Sequence, residues 1–179
     1  MTQPNPPMTA DDRTDPPLVG DERATLCGFL DYQRATLEWK CSGLDPEQLA
    51  RRAMPPSSLS LLGLVRHMAE VEWGWFDRFT MDGSRRDPHF YTPEDPDRDF
   101  DGAVADPAVV AEAFELWRAA CDEARAVIAR TELDATFVHA RRKDTVSLRW
   151  VLSHMIEEYA RHNGHADLLR EAIDGATGE

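Results

Sequence analysis

Apolar residues recur at spacings of three and four along four stretches of the chain, with polar residues filling the positions between. That period predicts helices, because side chains at i, i+3, i+4 and i+7 share one face. The first helix is expected over 21–40, turning Leu26, Phe29, Leu30, Leu37 and Cys41 inward; Gly43 then stops it and Pro46 restarts a short turn. Pro-Pro-Ser-Ser at 55–58 reads as a breaker followed by a cap. The second helix, over 59–79, carries Leu61, Leu64, Met68, Val71, Trp75 and Phe79 as its stripe. After a long polar stretch, 82–105, Asp106 as cap and Pro107 at the first helical position open a third helix. Its stripe is Val110, Phe114, Trp117, Cys121, Ala124 and Ile128. The fourth helix runs over 147–174 and ends at Gly175, with Leu148, Leu152, Met155, Tyr159, His162, Ala166, Leu169 and Ile173 facing inward.

No stretch reads as a convincing strand and no internal repeat is present, so the expected fold is all-α, a four-helix bundle. The long second-to-third connection allows either up-down-up-down or up-down-down-up order. Residues 1–19 hold several Pro and Asp and no apolar periodicity, which reads as a disordered or loosely attached tail. Residues 20–179 then form one domain, long enough to bury a core.

One position in the fourth stripe is out of character. His162 sits where apolar residues otherwise recur, and Glu158 lies one helical turn before it on the same face. A lone inward histidine is more often a core residue with a satisfied hydrogen bond. A carboxylate beside it at the core edge changes the balance, since such a group is costly unless paired. His67, between Leu64 and Val71 in the second stripe, faces or borders the same core. His67, Glu158 and His162 are therefore candidate ligands of one divalent metal. Three protein ligands leave one position of a tetrahedral site open, the arrangement of catalytic zinc. Zinc suits this nitrogen-and-oxygen donor set best, while nickel, cobalt and iron also accept imidazole. His154 and His165 extend the same face as supporting or rim residues.

Other metal patterns fit less well. No histidine has Glu three residues before it, which removes the ferritin-like di-iron motif. Asp97, Asp99, Asp101 and Gly102 match the start of a calcium loop, but its closing position falls on Ala108, so a solvated acidic loop is expected. No phosphate-cradling glycine loop, nucleophile elbow or His-Glu-x-x-His motif occurs.

Composition narrows the function classes. A formal charge of −13 and a pI near 4.8 make nucleic acid a poor partner. The one short basic run, 141–143, reads as a solvated loop or a local hold for a substrate carboxylate, with Arg142 or His139 as the contact. Three cysteines, Cys27, Cys41 and Cys121, show no metal-ligand spacing and are odd in number, which favours a reducing compartment. Cys121 packs as a small hydrophobe. Neither a secretory leader nor an apolar run of membrane-spanning length is read, so a cytoplasmic location without membrane association is expected. The aromatic content, Trp39, Trp73, Trp75 and Trp117 with Tyr32, points to a lined pocket or a homodimer face.

The chain also resembles a known family. Gln-Arg-Ala-Thr-Leu at 33–37, the segment 58–67 ending in His67 with Glu70 and Trp73 beyond it, and the segments 147–158 and 161–169 are similar to the DinB-like superfamily. The likeness lies in its actinobacterial branch, related to mycothiol-dependent enzymes and the mini-circle protein, and spans the chain from about residue 20 onward. It implies a DinB-like four-helix bundle with a divalent metal at one end. Members typically use three histidines; Glu158 stands here at the second position, as in the mycothiol-dependent maleylpyruvate isomerase. That isomerase has a further C-terminal domain contributing to its active site, which counts against maleylpyruvate isomerisation itself here.

The resemblance implies a thiol-dependent transferase or isomerase, with mycothiol as cosubstrate and an unidentified electrophile as second substrate. A metal-dependent hydrolase would use the same three ligands and the same open position. A non-catalytic, metal-stabilised binding module would fill every position with protein.

Overall fold

In the computed structural model, which describes residue 11 and residues 13–80, 86–139 and 143–178, side-chain caps set the start of each long helix. Asp21 accepts from the Ala24 amide to begin α1 (Glu22–Cys41). A capping box of Asp45 and Gln48 holds the short α2 (Pro46–Ala50). Ser60, two residues later than the expected cap, starts α3 (Leu61–Phe76), which tightens into a 3₁₀ turn over Asp77–Phe79. The short α4 (Arg98–Asp101) interrupts the polar connection, and Asp106 with Pro107 opens α5 (Pro107–Arg130) as predicted. Ser147 caps α6 (Leu148–Asp174), which ends at Gly175 with a left-handed φ of 77°.

The described residues are mostly helical, as the periodicity predicts. One correction is a two-stranded antiparallel hairpin, β1 (Thr136–Val138) with β2 (Thr145–Ser147), where no strand was expected. Strands of three residues are too short to display an alternation. Side-chain directions also need two corrections. Phe29 is exposed rather than inward. The buried face of α3 is rotated from the expected stripe: Leu62, Val65, Trp73 and Phe76 join Leu61, Leu64 and Met68, while Val71 and Trp75 are only half-buried.

Cross-helix bonds give the helix directions. Arg149 pairs with Glu22, Asn163 with Gln33, and Asp167 with Lys40, so α6 runs parallel to α1. Glu123 meets Trp73 and Cys121 meets Glu72, while Glu112 at the start of α5 meets His89, a residue tied to Glu70. That series makes α5 parallel to α3. His67 lies by His162 and Trp75 by His154, so α3 and α6 are antiparallel. The long helices therefore run up, down, down, up. Two successive parallel helices require a crossover, and the polar connection 80–106 supplies it.

This crossover is bound back onto α3. The Glu70 carboxylate accepts from the His89 and Phe90 amides, each at 2.6 Å. Arg66, 6% exposed, donates to the Asp99 and Arg98 carbonyls at 2.8 and 3.1 Å and lies over the Phe90 ring. A Cβ on Gly102 would sit 2.6 Å from the Arg66 guanidinium, so α4 can approach this closely only with glycine there.

The helices also meet at a polar cluster inside the core. Arg34 of α1 makes two 2.7 Å bonds to Glu72 of α3, both essentially buried. Burial disfavours the charge on Arg34, and the adjacent Glu72 more than offsets this. Tyr159 of α6 donates to Glu72 at 2.8 Å and accepts from the Trp117 indole of α5 at 2.9 Å. Outside the core, Arg13 reaches Thr36 at 2.8 Å and lies over Tyr32 and Trp39, placing the described residues before α1 along that helix.

Candidate metal centre

Antiparallel packing of α3 on α6 brings His67 to Glu158 and His162. One donor atom from each lies within 4.8 Å of the other two. Donors around a tetrahedral zinc ion with bonds of about 2.0–2.1 Å stand about 3.4 Å apart, so the three would close on an ion through small side-chain adjustments. The imidazoles of His67 and His162 are 4.9 Å apart between centroids. Glu158 Oε2 is 3.6 Å from His162 Nε2. The neighbouring His162 holds the Glu158 carboxyl below its ordinary range against the opposing effect of burial, and His154 and His67 add to the lowering.

Nδ1 of His162 is buried without a hydrogen-bond partner, which the alternative reading of a satisfied core histidine would not leave. Two imidazoles and a carboxylate fit a divalent ion of the zinc type.

Asp99 is the residue that sequence reasoning missed. Expected in a solvated acidic loop, it is 5% exposed and its Oδ2 lies 2.8 Å from Nδ1 of His67. A carboxylate behind a ligating imidazole fixes its tautomer and raises its basicity. Phe100 stacks on the other side of the His67 ring at 5.0 Å. The signal was present in the Asp-rich segment 97–101, but its partner lies far away in the chain.

His154 and His165 flank the donor set without joining it. His154 Nε2 is 3.3 Å from Glu158 Oε1, and its ring packs on Trp150 and Trp75. His165 meets the edge of His162, with Nδ1 also buried and unpartnered; burial and the His162 neighbour push its pKa down. A cavity of about 370 Å³ opens beside His67, lined among others by Val71, Gly74, Trp75, Arg78, Tyr91 and His139. His139 thus stands near the centre, its ring 5.5 Å from Trp75. Arg142 lies outside the described residues.

The model for the family described as mycothiol-S-transferase matches residues 25–175, most of the chain and every residue of the donor set. The chain belongs to the mycothiol-S-transferase family. This family lies within the DinB-like superfamily, as the sequence resemblance indicated. Comparison with curated proteins and with solved structures returned no match. None of the thiols of this mycothiol-S-transferase family member is primed as a nucleophile. Burial pushes Cys41 up to about 12 and raises Cys121, beside Glu72, and Cys27 as well. No described helix is long and apolar enough to cross a membrane.

Proposed function

We propose that this protein transfers the thiol of mycothiol to a small electrophile at a zinc site made by His67, Glu158 and His162, within a four-helix bundle of the DinB type. The observation that carries this reading is the convergence of the three donors beside a cavity, in a chain of a mycothiol-dependent family. A divalent ion held by these residues would lower the pKa of a coordinating thiol and leave it nucleophilic at neutral pH. Asp99 orients His67 for that task. Glu158 supplies negative charge and stays ionised because the histidines around it favour the carboxylate. Trp75 and Val71 give the cavity an apolar wall beside His67.

The reducing conditions that keep mycothiol and Cys27 as free thiols agree with a cytoplasmic location, which is part of the same proposal. The decisive experiment incubates zinc-loaded protein with mycothiol and monobromobimane, in which the sulfur displaces bromide. Conjugation faster than the uncatalysed rate is expected, and His162→Ala should abolish it and lower bound zinc at least about tenfold. Equal rates with and without protein across a panel of electrophiles would sink the transferase reading.

A further inference from the structure

We propose that Arg78 binds the carboxylate of a planar, unsaturated acid in the cavity beside His67, and that such acids are the class of electrophile the protein accepts. The second clause rests on the transferase reading; the binding claim does not.

Arg78 sits in the 3₁₀ turn that continues α3, and its side chain lines the same cavity as His67. Among the described residues its Nε has no hydrogen-bond partner and its guanidinium no ion pair. The fully buried guanidiniums of the protein are treated differently: Arg34 is filled by Glu72, and Arg170 by Asp174 and two carbonyls of the α1 end. The Arg78 side chain is half-buried, and its terminal guanidinium nitrogens, beyond the enclosed Nε, are the donors that a ligand in the cavity would meet.

The spacing places this donor to act together with the metal centre. His67, Val71 and Gly74 follow one another at helical intervals on α3, and Arg78 stands in the 3₁₀ turn that continues it. His67 and Arg78 line the same cavity from successive turns of this continuous segment. Gly74 has no side chain to obstruct the span between them, and Trp75, Tyr91 and His139 line it with rings. That surface suits a flat molecule. The carboxylates of Glu70 and Asp99 border the same space and disfavour a dianion such as a phosphate ester. One guanidinium fork matches one carboxylate.

Titration of the full chain with cinnamate and with its neutral amide, followed by tryptophan fluorescence and calorimetry, tests the claim without thiol or turnover. The acid should bind about tenfold more tightly than the amide, the worth of a charge-assisted bond. That preference should vanish in Arg78→Met, persist in weakened form in Arg78→Lys, and survive removal of metal. Equal affinities, no binding of cinnamate at millimolar concentration, or a preference retained in Arg78→Met would overturn it. So would tighter binding of phenyl phosphate. A preference lost on stripping the metal would place the carboxylate on the ion and would also overturn the assignment. If Arg78→Met does not fold, the acid-to-amide comparison on Arg78→Lys decides, an undiminished preference there overturning the assignment. A protein that conjugates mycothiol but ignores the acid's charge would sink this inference alone. One that binds the acid through Arg78 but never conjugates a thiol would sink only the transferase reading.

Discussion

When Nδ1 of His67 donates to Asp99, Nε2 is left unprotonated and able to ligate. A carboxylate so placed would tune a ligating His67 without itself ligating. Asp99→Ala should weaken zinc affinity by about 10–100-fold, read by competition with a chromophoric chelator, while helix content stays unchanged. Unaltered affinity would reduce Asp99 to a packing residue. Glu158 allows a test in pH. Its folded pKa is held below the ordinary 4.5, so its contribution to stability is complete above that value and is lost as pH falls through the lower folded value. In metal-free protein, the thermal midpoint of the unaltered chain should therefore exceed that of Glu158→Gln at pH 6, and the two should converge as pH falls through the lowered folded value. A gap that persists in acid would show the carboxylate's charge contributes nothing. Glu158 and His162 were legible in the sequence because one helical turn sets them side by side. Asp99 was not, because its contact with His67 is tertiary and no local spacing encodes it.

At the scale of elements, the four long helices read directly from their apolar stripes, while the face of α3 was misjudged by part of a turn. The reason is Glu72. Stripe reading assigns a carboxylate to solvent, yet Glu72 is fully buried because Arg34, Tyr159 and Cys121 arrive from three other helices to partner it. Glu72→Leu alone should cost about 3–5 kcal/mol, since it strands the Arg34 charge in the core. Arg34→Met combined with Glu72→Leu should recover most of that loss. Denaturant unfolding of the three variants measures both, and additive losses in the double variant would mean the pair is not coupled. The hairpin was illegible for a different reason: its short strands hold together by pairing and by Val146 reaching the core.

Over the whole molecule, the aromatic surplus that suggests a dimer is largely consumed within one chain. Trp73 and Trp117 are buried, Trp75 packs on Trp150 and His154, and Arg13 covers Trp39. A homodimer would rest on what stays exposed, of which Trp150 and Val138 are two examples. Sedimentation at tens of micromolar should show self-association that Trp150→Ser weakens; a monomer there rejects it. The formal charge of −13 opposes association at low salt, so any dimer should tighten as salt rises.

The bond between Asp99 and His67 also joins two events that would otherwise be separate. Because α4 supplies the oxygen that steadies a candidate ligand, filling the donor set and quieting the crossover share one free energy. Zinc should then slow amide hydrogen exchange at Phe100, Asp101 and Gly102, whose backbone bonds close this short helix, and should do so far less in Asp99→Ala. The converse follows by reciprocity: anything that pulls residues 97–102 away from α3 loosens the ion, so the crossover is a handle by which metal occupancy can be released without touching a ligand.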